Sequence, residues 1–225
     1  MTPKAADALA RLSRLVTYPD DRYAEGLDAL VASIEAWHPD AACDLATFAA
    51  RIGRATGDRA RSGAGRSGAP RAQRAWRGAG AFARLRPPWT KLEERSPGGP
   101  ALTSNDLQEL FTRTFDLNPV CALEVGWHLF GEEYERGAFL VRMRQALREH
   151  GIAEGGELPD HLASMLLLVT KLDADDSDVL VANALVPAVV KMLEPLEKSE
   201  SPFLPLVKAI REVLAACAPA GAEVD

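Results

Sequence analysis

The sequence predicts an all-α protein: a single-domain helical bundle of about eight helices, interrupted by one disordered basic insertion. Three observations carry that class. Apolar residues recur at spacings of three and four along most of the chain, which is the mark of one buried helical face. Ala and Leu dominate while aromatic residues make up only 6% of the chain, a mix that favours helix over sheet. No segment reads convincingly as a strand. At 225 residues the chain can bury a sizeable core, and one domain is the default.

Thr2 before Pro3 starts the first helix, with Ala5, Ala8, Leu9, Leu12, Leu15 and Val16 as its buried stripe, and Tyr18-Pro19-Asp20 ends it. The second is predicted over Tyr23, Leu27, Leu30, Val31, Ile34 and Trp37. It stops at His38-Pro39 because proline disfavours helix in the residue before it. A third, from about Asp40, buries Leu45, Phe48, Ala49 and Ile52, so that residues 1–53 are the N-terminal helices of the domain. From 54 to 102 the periodicity lapses into Arg, Ala, Gly, Ser and Pro, too few apolar side chains to offset the entropy of ordering a backbone. This stretch is predicted as a basic, low-complexity linker, although Trp76, Phe82, Leu85 and Trp89 leave a short helix around 71–85 open. Residues 103–218 supply the remaining helices, and 219–225 are a frayed tail.

In that second part, Thr103 with Asp106 three residues on caps a helix carrying Leu107, Leu110, Phe111 and Thr114. The run Phe115-Asp116-Leu117-Asn118-Pro119 predicts a corner, with Asn118 capping the next helix and Pro119 at its first position. Val120, Leu123, Trp127 and Phe130 then form one apolar face as far as Gly131. The following helix is expected to turn Tyr134, Ala138, Val141 and Leu147 inward and to close at Gly151. A flexible acidic connection from Glu154 leads to a helix begun at Pro159, which buries Leu162, Met165, Leu166 and Val169 and ends near Leu172. Asp173 to Asp178 reads as a solvated turn and N-cap, since it lacks the glycine and closing glutamate of a calcium loop. Val179 to Leu193 is helical with a kink or break at Pro187, and Ser201-Pro202 opens the last helix, with Phe203, Val207, Ile210, Leu214 and Cys217 inward.

Several function classes are disfavoured. Cys43, Cys121 and Cys217 are far apart and odd in number, so neither a disulfide framework nor a thiolate metal site is indicated. His38, His128, His150 and His161 lie on different segments with no His-x-x-x-His pair, and no metal is expected; His38 and His150 read as caps on helix carbonyls. There is no Gly-x-Ser-x-Gly nucleophile turn and no phosphate-binding Gly-x-x-x-x-Gly-Lys loop, so an enzyme is not expected. The longest strongly apolar run, Met165 to Val169, is far shorter than a membrane span needs, and no export segment precedes it. A cytoplasmic protein without stable membrane insertion follows as an expectation. The net charge of −6 hides an asymmetry: residues 51–100 hold 12 Lys/Arg against 3 Asp/Glu, leaving 14 against 29 elsewhere. So acidic a body suits a basic peptide better than a nucleic acid.

Four pieces of the chain, in order, carry a family resemblance. They are Leu15-Val16-Thr17-Tyr18-Pro19-Asp20; Leu107-Gln108-Glu109-Leu110-Phe111 with Phe115-Asp116; His128-Leu129-Phe130-Gly131-Glu132 with Arg136-Gly137; and Glu157-Leu158-Pro159-Asp160. Together they resemble the NarJ-type nitrate reductase assembly chaperones, within the wider TorD-like group of molybdoenzyme maturation factors. Glu133-Tyr134 departs from that pattern, which more often has small or basic residues there. The resemblance implies a chaperone without a cofactor of its own. Its partners would be the apo catalytic subunit of a molybdopterin oxidoreductase, bound by its N-terminal segment, and the molybdenum-cofactor insertion machinery. The residues themselves allow two readings of the acidic connection. Asp160 could simply sit at a helix N-terminus, or an acidic hinge flanked by Trp127 and Tyr134 could offer carboxylates to arginines and a groove to a peptide helix. The resemblance places the Pro-Asp-His turn at the hinge associated with the client. The expected peptide-binding residues are therefore Asp116, Trp127, His128, Tyr134, Glu157, Pro159, Asp160 and His161. The alternative is a helical module that binds RNA or anionic lipid through the basic arm at 54–100.

Overall fold

A computed structural model describes residues 1–52 and 104–217, and within them the chain is all-α. The predicted linker with its aromatic residues, the Thr103 cap and the tail lie outside the described residues. Nine helices are present among those described, close to the number expected: α1 (Pro3–Leu12), α2 (Leu27–Glu35), α3 (Pro39–Ile52), α4 (Ser104–Phe111), α5 (Val125–Phe130), α6 (Tyr134–Glu149), α7 (Leu162–Val169), α8 (Ala174–Lys198) and α9 (Leu204–Ala215).

The N-terminal helices follow their periodicity. The Thr2 hydroxyl accepts the Ala5 amide at 3.3 Å, Pro3 fills the first helical position, and Ala5, Ala8, Leu9 and Leu12 are buried. A 3-10 turn, Ser13–Val16, carries the stripe on to Leu15 and Val16. Helix α2 is shorter than predicted, because residues 21–26 form turns that bury Tyr23 and let its hydroxyl donate to the Leu15 carbonyl. His38 does not cap a carbonyl. Its Nδ1 accepts the Ala41 amide at 3.2 Å, so it caps the start of α3. His150 does bind a helix carbonyl, that of Ala146, at 2.9 Å.

Helix α3 packs against both α2 and α9, and α1 lies against α7 and α9. The centre of the core is aromatic. Phe203, fully buried just before α9, stands 5.8 Å from Phe48 of α3, 5.8 Å from Phe111 of α4 and 5.1 Å from Phe115 between ring centroids. Such edge and tilted contacts add to the area that each ring removes from water. They join α3 to α4 and α9 although residues 53–103 separate the first two in sequence.

Two wide turns depart from the predicted helices. The chain leaves α4 through a π turn, Thr112–Asp116, which keeps Phe115 buried while Asp116 is exposed. A second π turn, Val181–Leu185, lies inside α8 directly before Pro187. The proline therefore neither breaks nor ends the helix. The widened turn takes up the ring that would strike the carbonyl four residues back. Helix α8 thus runs from Ala174 to Lys198, long and apolar enough by length and composition to cross a membrane, with half of its apolar window buried in the bundle. The acidic run expected to be a turn is already helical from Ala174, and Asp173 caps it by accepting the Asp176 amide at 2.9 Å.

Candidate functional site

The corner after Phe115 does not build one continuous helix from Pro119. Pro119–Cys121 is a single 3-10 turn, and Ala122 to Glu124 are extended before α5 begins at Val125. Asn118 makes no capping bond; its amide nitrogen donates to the Cys121 sulfur at 3.4 Å. The extended residues have a long-range partner. The Val125 amide donates to the Asp160 carbonyl at 2.9 Å and the Leu162 amide to the Leu123 carbonyl at 2.8 Å, an isolated antiparallel bridge between Glu124 and His161. Satisfying these backbone groups fixes the corner to the start of α7.

Asp160 secures the same joint with its side chain. It is fully buried, and its Oδ2 accepts the Gly126 amide, at the start of α5, at 2.9 Å. Only glycine allows that approach. A β-carbon on residue 126 would stand 2.7 Å from Asp160 Oδ2 and 2.9 Å from a ring carbon of Phe139. Asp160 Oδ1 is buried with no hydrogen-bond partner, and so is Nε of Arg136. Burial raises the Asp160 carboxyl above its ordinary value, against the Gly126 amide and the Arg136 charge, which favour the ionised form.

Above this joint a cleft of about 270 Å³ is lined by Phe115, Asp116, Pro119, Ala122, Leu123, Glu124, Trp127, Arg136, Glu157 and His161. Three carboxylates, Asp116, Glu124 and Glu157, share it with one guanidinium. The Trp127 indole is anchored by donating from Nε1 to the Pro119 carbonyl at 2.9 Å, and the Arg136 guanidinium sits over its ring, 5.3 Å from the centroid. His161 caps α7, its Nδ1 accepting the Ala163 amide at 3.2 Å, which puts the imidazole proton on Nε2. Burial lowers its pKa, opposed by the nearby charges of Glu124 and Asp116.

Of the eight residues expected from sequence, Asp116, Trp127, Glu157 and His161 line the cleft, while Pro159 and Asp160 are buried where the chain turns into α7. Pro159 is not the first residue of that helix, which starts at Leu162 with His161 as its cap. His128 is not among the lining residues. Its Nε2 lies 2.6 Å from the Ala122 carbonyl and burial lowers its pKa, while Lys191 of α8 donates to its own carbonyl at 2.7 Å. Tyr134 is 89% exposed and also lies outside the lining. Of the expected inner face of α6 only Leu147 is buried: Tyr134, Ala138 and Val141 are exposed, and Phe139 turns inward in their place. The connection from Glu154 is tied rather than free. Glu154 pairs with Arg144 at 3.0 Å and Arg148 at 2.7 Å, and residues 159–161 are buried.

Sequence reading overlooked Gly126, Glu124 and Arg136 as site residues. For Gly126 a signal existed, since an isolated glycine within an apolar helical pattern often marks a close backbone approach. Among the described residues no group of three possible metal ligands converges. In comparisons with known proteins, residues 82–208 match the family described as nitrate reductase delta subunit. No curated protein matches.

Proposed function

The chain belongs to the nitrate reductase delta subunit family, whose pattern covers more than half of it, and from that premise we propose a cytoplasmic chaperone that holds the N-terminal segment of an apo catalytic subunit in the cleft beside Trp127. Membership in the family implies a chaperone for nitrate reductase assembly rather than an enzyme. The observation that supports the finer reading is the make-up of the cleft: three carboxylates around one anchored indole, in a body whose excess charge is acidic. Carboxylates steer a basic leader to the surface and pair with its cations, and the indole gives an apolar anchor. Binding the cofactor-receptive client and not the loaded one would stabilise the receptive state by mass action, and molybdenum-cofactor insertion would release it.

Titration calorimetry with synthetic peptides of the first 30 or so residues of nitrate reductase catalytic subunits tests this. Micromolar binding, as an order of magnitude, is expected, and replacing Asp116 and Glu157 together by Asn and Gln should weaken it about tenfold. No binding to any such leader would overturn the proposal.

A further inference from the structure

Within the cleft one contact runs against the rest of its chemistry. Arg136, on the first turn of α6, brings a positive charge into a space otherwise edged by Asp116, Glu124 and Glu157, and spends it on the face of Trp127. Its Nε is buried without a partner, and so is Oδ1 of the fully buried Asp160, whose ionisation already responds to the Arg136 charge. Leaving a buried polar atom unpaired is costly, and more so when its group is charged. An unpaired donor and an unpaired acceptor thus lie within electrostatic reach of each other, and each is what the other lacks.

We propose that Arg136 is a placeholder: it occupies on Trp127 the seat that an arginine or lysine side chain of the client takes, and on displacement it moves to Asp160. The inference rests on the reading of the cleft as the client site. Each feature then has a role. An indole anchored at its Nε1 keeps its face in a fixed position for a cation. The carboxylates of Asp116, Glu124 and Glu157 hold the incoming charge, and without them two cations would meet over one ring. Oδ1 of Asp160 receives the displaced guanidinium in a charge-assisted bond. Because Arg136 rests on Trp127 in the client-free protein, its transfer is uphill, so only a ligand that brings its own cation drives it. Specificity for a basic leader is thereby set by exchange, and an apolar segment alone gains little.

The test uses the full chain and two probes, N-acetyl-arginine amide and the catalytic-subunit leader peptide, followed at the Trp127 indole N–H resonance, which Trp127→Phe identifies. Arg136→Met keeps the aliphatic stem and removes the competing charge. It is expected to bind the arginine probe about tenfold more tightly than the wild type. Asp160→Asn, which keeps an acceptor for the Gly126 amide, should weaken the probe in the wild-type background and leave Arg136→Met nearly unaffected. An Arg136→Met protein that binds the probe no more tightly overturns the inference, whatever the leader does. Equal losses from Asp160→Asn in both backgrounds overturn the transfer to Asp160. If the arginine probe behaves as expected while the leader fails to bind the wild type, the cation seat stands and the chaperone reading of the cleft falls.

Discussion

The aromatic centre around Phe203 and the cleft around Trp127 are both built from rings, and they satisfy them in opposite ways. At the centre, Phe48, Phe111, Phe115 and Phe203 are all buried against one another, Tyr18 stands edge-on to Phe111 and Tyr23 to Phe48, and the buried Tyr23 hydroxyl has its partner in the Leu15 carbonyl. In the cleft the indole is half-buried, a cation covers it, and the Nε of that cation and Oδ1 of the buried Asp160 beneath go unpaired. The first region is packed for stability. The second leaves buried polar atoms unsatisfied, as the exchange proposed above requires.

The largest effect should come from the centre. Phe203→Ala removes the ring that joins α3, α4 and the residues before α9, and a loss of about 3–5 kcal/mol is expected from such a truncation. Urea unfolding measures it, and a loss below about 1 kcal/mol would mean that the aromatic cluster is not the centre of stability. Gly126→Ala comes next. The new β-carbon meets a buried carboxylate oxygen and a buried ring, so about 1–3 kcal/mol is expected, together with weaker leader binding, because the same joint shapes the cleft. A variant of unchanged stability would show that α5 can shift away from Asp160, and the two regions would then be less distinct than the contacts suggest.

The smallest effect is a dependence on pH that arises at two histidines, His161 in the cleft and His128 outside its lining. Burial lowers the pKa of His161 and of His128, so on acidification through the ordinary histidine value of 6.5 the unfolded chain takes up protons first. Stability is complete above that value and declines as pH falls toward the lower folded-state values. Asp160 acts in the opposite sense. With its folded-state pKa raised, it protonates sooner in the folded protein, and acidification toward the ordinary carboxylate value of 3.8 returns some stability. Urea midpoints should therefore drop between about pH 7 and pH 5.5. His161→Asn, which can still cap α7, should remove part of that drop. If the drop is unchanged, the titrating group lies elsewhere.

Much of the fold was legible because it depends on neighbours in sequence. The stripe of α1, the Thr2 and Asp173 caps, the Gly151 close of α6 and the inward face of α9 are all set within a few turns of one helix. The acidic corner was legible too, since Asp116, Trp127, Glu157 and His161 stand out as residue types and do line one cleft. Its inner workings were not. Periodicity placed Leu147 of α6 correctly but misplaced the first half of its face, because Tyr134 and Val141 are apolar by type, whereas Phe139 is drawn inward by Phe130, at 5.5 Å, and by the space that Gly126 leaves.

By itself, then, the sequence determined an all-α bundle, the order of its helices, a family and an acidic corner bearing a tryptophan. Tertiary structure alone decided that Asp160 would reach Gly126 across 34 residues, that a π turn would absorb Pro187, and that Arg136 would lie on Trp127 with its Nε unpaired. The physical reason is range. Helical faces and caps are written within the few residues that make each turn, but the partner of a buried charge is chosen by packing between segments that the chain brings together only on folding.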